Sequence, residues 1–373
     1  MVRNTHKIKV CFFAPAAFPL FKKNYSDVFG GAELQMYLIA NKLSENKNYI
    51  IDFIVADYGQ KKIEKFENIT VFKSFKLLQK ESIFSKFIKS ISYFLLLIKI
   101  NPDIIITTAA HATVGFTALY SKIFNKKHIH RTAHLNDVNL AWINTNGIVG
   151  NIYKYGLYNA DKVINQSIEH KNLLSKNHKI EAEVIKNAFI INKYQQTEKK
   201  SILWVGRFVN WKNPDLFLKL ATEFTDEKFT MICPYSDKNL EEWNKFKQKA
   251  YNIKNLNFID NVPFFEIQKY FNESKLFVNT SESEGYPNTF LQAAAAKTPI
   301  ISLNVNPDNF LTEYNCGYFC NNDFLKMTEK INYLLNDNSK MQQLGENLRQ
   351  YLENQHDLNK IVIKFEKIIS QCI

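Results

Sequence analysis

Apolar and polar positions along this chain follow two spacings, and both spacings recur in each half. Short apolar runs such as Lys7–Phe13 and Asp103–Thr107 predict buried strands, whereas stretches with apolar residues three or four apart, such as Ser82–Lys99, predict helices. Strands that alternate with helices indicate parallel sheets covered by helices. A polar, charged stretch at 190–200 separates the halves and is typical of a linker. The pattern therefore predicts an α/β fold of two domains with a cleft between them.

The predicted elements continue through both halves. Further strands of the first half are expected at Ile50–Ala56, Ile69–Phe72, His128–Thr132 and Lys162–Asn165, with helices at Ala32–Leu43, 147–159 and Ile168–Lys176. Strands of the second half are expected at Ile202–Val205, Phe229–Cys233, Leu256–Ile259, Leu276–Asn279 and Ile300–Leu303, with helices near 214–225, 238–250, 265–273 and 287–296.

Length and composition fit this picture. A chain of 373 residues is too long for one ordinary core, and 46% hydrophobic with 23% charged residues is typical of a globular protein. The longest uncharged apolar run, Ile91–Ile98, is much shorter than the ~20 residues of a membrane span. Five scattered cysteines and the absence of a signal-peptide pattern predict reduced thiols in the cytoplasm.

The net charge of +12 favours anionic partners. No nucleic-acid signature accompanies it, so a membrane surface or a phosphate-bearing substrate fits better. The segment Lys73–Lys99 holds six lysines and one glutamate among Phe and Tyr residues. Its helix, 82–99, fits either peripheral contact with an anionic membrane or a sheet-covering helix with a lysine-rich outer face.

The stretch Ser281–Ser302, SESEGYPNTFLQAAAAKTPIIS, is the best candidate for a ligand site. Pro287 suits the first position of a helix, and the turn before it leaves the helix N-terminus open to a phosphate. Glu284 stands on that turn beside Gly285, where its side chain can reach the group that the phosphate carries. The alternative is an ordinary strand-to-helix corner with a solvated acidic loop.

Two other loops carry candidate ligand-binding residues. Gly30 and Gly31 follow the first strand and open a helix, although the dinucleotide fingerprint GxGxxG is absent. Arg207 and Lys212 follow the first strand of the second half and are candidates for a diphosphate clamp with the 287 helix. As isolated loop cations they would instead be solvated surface groups.

The histidines near the fifth predicted strand, His128–Thr132, allow two interpretations. His128, His130 and His134 lack an accompanying carboxylate helix or cysteine pair, so no metal site is predicted. His134 lies at the carboxyl end of its strand, where open sheets hold ligands. It is either a site residue or a loop histidine with a structural role.

These motifs resemble those of family 4 retaining glycosyltransferases (glycosyltransferase group 1), which have the GT-B fold of two Rossmann-like domains. VGRFVNWKNPDLFLKLA is similar to the family's VGR-x5-K stretch, and SEGYPNTFLQAAAAKTPIIS to its EGFPN stretch. FGGAELQ and IKNAF are similar to its N-terminal glycine loop and its IPNG turn. The resemblance covers most of the chain. It implies an acceptor domain at 1–195, a donor domain at 196–355, and a helix at 356–373 that crosses back.

The resemblance also implies residue roles. Arg207 and Lys212 would bind the donor diphosphate, Glu284 the transferred sugar, and His134 would lie near the reacting sugar. Gly30 and Gly31 would lie at the cleft floor, and the remaining implied donor-binding residues are Gly285, Tyr286, Pro287, Asn288, Thr289 and Gln292. Gln292 replaces the second glutamate of the family's Glu-x7-Glu pair, so it would bind the ribose as a neutral group.

The expected function is therefore transfer of a hexosyl group from a UDP- or GDP-sugar to a hydroxyl of a glycan or lipid-linked acceptor, without metal or cofactor. A bacterial surface-polysaccharide pathway, at the inner face of the cytoplasmic membrane, fits this expectation. A non-catalytic GT-B partner subunit or glycan-binding protein is the alternative, and a nucleotide-sugar epimerase is a second. Saturable nucleotide binding and acceptor dependence distinguish them.

Overall fold

A computed structural model describes residues 7–22, 29–77, 83–235 and 239–373 of the chain. The chain divides into two compact units. Unit 1 comprises Met1–Ala188 and Leu358–Ile373, and unit 2 comprises Phe189–Asp357. The division after Ala188 falls one residue before the polar stretch at 190–200.

Unit 1 contains one sheet, whose described strands run in the order β3-β4-β2-β1-β5-β6-β7-β8. Its neighbouring strands are parallel apart from the pair β3–β4, which is antiparallel. The strands are β1 Ile8–Phe13, β2 Tyr49–Val55, β3 Ile63–Phe66, β4 Ile69–Lys73, β5 Ile104–Thr108, β6 Lys127–Arg131, β7 Lys162–Asn165 and β8 Glu183–Val184. The helices are α1 Phe18–Phe21, α2 Gly31–Ser44, α3 Ile83–Ile100, α4 Ala112–Phe124, α5 Leu140–Thr145, α6 Gly147–Tyr158 and α7 Ile168–His178, followed at the end of the chain by α15 Leu358–Cys372.

Unit 2 contains a parallel sheet whose described strands run in the order β11-β10-β9-β12-β13-β14. Its first strand in sequence, β9, is central, and the chain turns back beside it to form β12. The strands are β9 Ser201–Val205, β10 Phe229–Ile232, β11 Leu256–Ile259, β12 Ser274–Asn279, β13 Ile300–Ser302 and β14 Gly317–Phe319. The helices are α8 Pro214–Glu223, α9 Leu240–Tyr251, α10 Gln268–Asn272, α11 Asn288–Ala295, α12 Phe310–Glu313, α13 Phe324–Leu335 and α14 Asn338–Gln355.

The α/β prediction is confirmed, and most predicted strands and helices are present with shifted ends. The antiparallel edge strand β3 and the short strands β8 and β14 were not predicted. Their burial is incomplete or their length is two or three residues, so they produce no clear apolar run.

The structure shows which face of helix α3 packs against the sheet, a point that its sequence did not predict. Tyr93, Leu97 and Ile100 are buried against the sheet, and Phe87, Ile91, Leu95 and Ile98 are exposed. The described outer face therefore combines apolar side chains with the exposed Lys99. Ser82, where the predicted helix starts, and the Lys86 side chain lie outside the described part of the structure.

Two absences apply to the described residues. None of their helices is long and apolar enough to cross a membrane. All five cysteines are free and buried. Burial raises the pKa of all five thiols, to about 11 for Cys320 and to about 12 for Cys316. These thiols are therefore core residues and not reactive nucleophiles.

Candidate functional site

The loop that carries the predicted cations and the loop that carries the predicted carboxylate lie side by side at the centre of the unit 2 sheet. One loop follows β9 and carries Arg207 and Lys212, and the other follows β12 and carries Glu284. Strands β9 and β12 are neighbours and parallel. They are the pair at which the strand order reverses, the place where open α/β sheets bind ligands.

Lys212 and Glu284 form an ion pair across these loops. The distance from Lys212 Nζ to Glu284 Oε1 is 2.5 Å, and the two side chains are only 13% and 12% exposed. The ammonium also lies 5.0 Å from the centre of the Trp211 ring, within cation–π range. A positive and a negative group are thus held together in a partly buried position. A ligand that carries both charges can contact both groups there.

Further hydrogen bonds fix this pair, and they involve residues that the sequence did not single out. Ser281 Oγ donates to the same Glu284 oxygen at 2.9 Å. Thr280 Oγ1 donates to the Lys212 carbonyl at 2.7 Å and accepts from the indole of Trp204 at 2.9 Å. Ser281 stands three residues before Glu284 on the same turn, which is the one signal in the sequence that could have revealed its role.

Arg207 differs from Lys212 in being exposed. Among the residues that the structure describes it has no hydrogen-bond or ion-pair partner. Pro214 begins α8, and the side chain of Asn213 before it does not cap the helix. Asn213 instead donates to Glu282 Oε1 at 3.3 Å, so it links the two site loops.

Helix α11 begins one residue later than predicted, because Pro287 is its extended N-cap residue and Asn288 its first helical residue. Asn288 and Thr289 form the half-buried first turn, and Gly285 lies in the bend before it. A first helical turn carries a partial positive charge that favours anions. The predicted helix N-terminus is therefore present directly after the loop that carries Glu284.

Two of the predicted donor-binding side chains, those of Tyr286 and Gln292, are buried. Tyr286 is buried: its hydroxyl donates to Tyr351 at 3.2 Å, and its ring lies 4.8 Å from that of His356. Only its backbone is left for a ligand. Gln292 is 6% exposed on the second turn of α11, and its carbonyl accepts from Gln268 at 3.0 Å.

The remaining predicted residues belong to unit 1. Gly31 begins α2 and Gly30 is its extended N-cap residue. The Glu33 carboxylate lies against Gly30 and would have to shift to admit a side chain there. An external anion would therefore compete with Glu33 for this helix end.

His134 begins the short 3₁₀ helix Leu135–Asp137, and its ring accepts the Asn136 N–H at 3.2 Å. The buried Asp137 carboxylate accepts backbone N–H groups of Ala110, Ala133 and His134. Burial raises the pKa of Asp137, although these N–H groups act in the opposite direction. His134 is thus held in a fixed turn, half-buried, with a structural role in capping.

His128 and His130 are core residues. Thr107 Oγ1 lies 2.8 Å from His128 Nε2 and 3.0 Å from His130 Nδ1, and His130 Nε2 lies 3.2 Å from the Tyr153 hydroxyl. Burial lowers the pKa of His128 to about 3 and that of His130 well below its ordinary value. In the described ranges no group of three His, Cys, Asp or Glu side chains is placed to hold a metal ion.

The two buried histidines predict that the free energy of unfolding decreases as the pH falls. An unfolded histidine protonates near pH 6.5, whereas folded His128 stays neutral until about pH 3, so the unfolded state binds more protons between these values. The contribution of His128 to the free energy of unfolding is fully present above pH 6.5, and it decreases as the pH falls from 6.5 towards 3. His128 alone should cost about 2 kcal/mol between pH 6.5 and 5.

Urea unfolding at pH 7.5 and pH 5 measures this loss, with His128→Gln as the matched variant. The variant should show a smaller difference between the two pH values. Equal differences for both proteins would show that the imidazole does not titrate as described.

The chain is similar to known glycosyltransferases. Residues 186–351 match the model of the family described as glycosyl transferases group 1. An uncharacterized glycosyltransferase of Methanocaldococcus jannaschii is 26% identical over 341 residues, which are 88% of this chain and 91% of that protein. The capsular polysaccharide biosynthesis glycosyltransferase CapM of Staphylococcus aureus is 31% identical over 87 residues, 23% of each chain.

The fold is likewise shared with a solved structure. Sucrose-phosphate synthase from Thermosynechococcus elongatus superposes with a TM-score of 0.79 at 14% identity, covering 98% of this chain and 99% of that one. Such low identity shows the fold alone, and that fold is GT-B. Together, the family match over residues 186–351 and the long relative support a glycosyltransferase of the group 1 superfamily.

Proposed function

We propose that this protein is a family 4 glycosyltransferase that transfers a hexosyl group from a UDP- or GDP-sugar and retains the anomeric configuration. The Lys212–Glu284 pair at the reversal point of the unit 2 sheet carries the proposal. Lys212 and Arg207 would bind the diphosphate, with the first turn of α11 at the phosphate oxygens. Glu284 would bind the sugar, and the enclosed Gln292 would bind the ribose.

The chemical demand of this reaction matches these groups. The bond from the anomeric carbon to the diphosphate breaks while positive charge grows on the sugar and negative charge on the leaving group. Two cations and a helix N-terminus stabilise the leaving group, the role that a metal ion has in other transferases, so neither metal nor cofactor is part of the proposal. The leaving phosphate would take the proton of the attacking hydroxyl on the same face of the sugar. His134, Gly30 and Gly31 are proposed to line the acceptor side.

A glycan or lipid-linked hydroxyl is the proposed acceptor, in bacterial surface-polysaccharide synthesis. The partial likeness to CapM, whose name describes capsular polysaccharide biosynthesis, supports that setting. The net charge of +12 supports peripheral contact with an anionic membrane through the helix predicted at 82–99, on the inner face of the cytoplasmic membrane. No nucleic-acid partner is proposed.

Calorimetric titration with UDP, GDP and ADP in EDTA tests the donor site. We expect one nucleotide to bind saturably to the wild type, and Arg207→Ala to weaken that binding by about tenfold because one charge-assisted contact is lost. Lys219→Ala, an exposed lysine of α8 in the same unit, is the control and should bind normally.

The outcome of this titration also separates the alternatives. Absence of binding to all three nucleotides would contradict the transferase and favour the non-catalytic GT-B partner or glycan-binding protein. Binding followed by release of an epimer or a free sugar without acceptor would favour the epimerase.

A further inference from the structure

The exposed side chains of α3 are mostly apolar, with Ser92 and Lys99 as the exceptions among the described ones. Phe87, Ile91, Leu95 and Ile98 are between 41% and 59% exposed and follow one another at helical spacing. The opposite face is fully occupied by the sheet, where Tyr93 and Leu97 are completely buried. A helix that covers a sheet in water normally turns its polar side outward, so this one lacks a partner for its outer face.

The apolar face extends over two more helices of unit 1. The Phe87 ring of α3 lies 6.2 Å from the Phe116 ring of α4. Phe116 in turn lines an open groove of about 370 Å³ between α4 and α6. The groove is otherwise lined mainly by Gly115, Leu119, Ile148, Ile152 and Tyr155.

Glycines bring the two helices of this groove close together. A side chain at Gly115 would collide with the backbone of Ile152, and one at Gly156 with the backbone of Val114. Ile148, which lines the groove, is 62% exposed, and Ile123 beyond it is 59% exposed. We call the outer faces of α3, α4 and α6 together the three-helix apolar surface.

The charges of these helices have one sign. The sequences of α3, α4 and α6 contain five lysines and neither aspartate nor glutamate. Lys99 and Lys122 are exposed. An apolar face with lysines beside it is the combination that binds the headgroup and acyl boundary of an anionic bilayer.

We propose that the three-helix apolar surface docks into the surface of a bilayer containing anionic phospholipids, with acyl chains entering the groove between α4 and α6. This inference rests on the proposed function, and it extends the peripheral membrane contact named there. The lipid-linked acceptor belongs to that proposed function. The contact is made by apolar side chains of three helices, and the lysines orient it. A symmetric contact with a second copy would bring lysines against lysines, which disfavours that occupant.

Tryptophan placed on the surface reports insertion directly. Ile123→Trp and Ile148→Trp, each prepared in the full chain, are mixed with phosphatidylglycerol vesicles whose acyl chains are brominated. We expect quenching of the added fluorescence relative to wild type, because the new indoles would lie at acyl-chain depth. Leu325→Trp, on an exposed position of α13 in unit 2, should not be quenched beyond wild type.

Vesicle flotation then measures affinity. Leu95→Gln and Ile123→Gln should each lower partitioning onto phosphatidylglycerol vesicles by about fivefold to tenfold, whereas Leu325→Gln should not change it. Lys122→Gln should lower it by about fivefold, and raised salt should lower it further. Circular dichroism and thermal unfolding establish that each variant is folded.

Three results would overturn the proposal. One is equal binding of Leu95→Gln, Ile123→Gln and wild type. Another is absence of quenching at both tryptophan positions. The third is concentration-dependent self-association that Leu95→Gln abolishes, with no vesicle binding by the wild type, which would assign the surface to a second copy. Nucleotide titration of the same variants is independent of all three, so failure of the membrane contact and failure of the transferase can be told apart.

Discussion

Glu284→Gln is expected to lower the rate of sugar transfer by a factor of about 10²–10³ while leaving nucleoside diphosphate binding intact or up to about tenfold tighter. The amide keeps the shape of the carboxylate and can still accept from Lys212 and Ser281, so the loops stay in place. What is lost is the negative charge that would face the developing positive charge of the sugar. The Lys212 ammonium, freed from a carboxylate at 2.5 Å, becomes more available to a diphosphate.

Glu282→Gln is the matched control for this experiment. Glu282 stands two residues earlier on the same loop and is exposed, and its carboxylate accepts from Asn213. The control should transfer sugar at nearly the wild-type rate. Transfer rates with the donor identified by calorimetry, together with nucleotide titrations of both variants, measure the difference. A Glu284→Gln enzyme with wild-type turnover would remove Glu284 from the proposed mechanism.

Lys212→Met is expected to reduce kcat/KM by about 10²–10³ and to weaken nucleotide binding as well, unlike Glu284→Gln. Methionine keeps an apolar stem against Gly206, so the change removes mainly the charge. Glu284 is then left with Ser281 as its partner on the loop. Both the ground-state contact with the diphosphate and the stabilisation of the departing phosphate are lost.

The double variant tests whether the two residues act as one unit. If Lys212 and Glu284 act together, Lys212→Met combined with Glu284→Gln should cost much less than the product of the single effects. Lys249→Met, an exposed lysine of α9, should behave as wild type. Strictly multiplicative losses would mean that the ion pair has no part in the function of either residue.

The sequence predicted the residue content of the candidate site better than its arrangement. Arg207, Lys212 and Glu284 could be singled out because each follows a predicted strand, where parallel sheets place their ligands. The direct contact between Lys212 and Glu284, which are 72 positions apart, required the order of the strands. The supporting residues Thr280, Ser281 and Trp204 belong to no motif, so only their hydrogen bonds identify them.

The enclosed residues show a second limit. Tyr286 belongs by position to the phosphate-facing turn, yet its side chain packs against His356 and Tyr351 from a distant helix. Asn213 has the residue type of a helix cap but contacts Glu282 instead. In both cases a long-range partner overrides the local preference that the sequence expresses.

The sequence by itself determined that this protein has two α/β halves, where most of their strands and helices lie, and which charged residues stand on the loops between them. Local spacing of apolar residues carries that information, because a buried strand and an amphipathic helix have different periods. Only the tertiary structure decided which side of α3 meets the sheet. That helix has apolar residues around most of its circumference, so its periodicity could not distinguish the side covered by the sheet from the side that remains exposed.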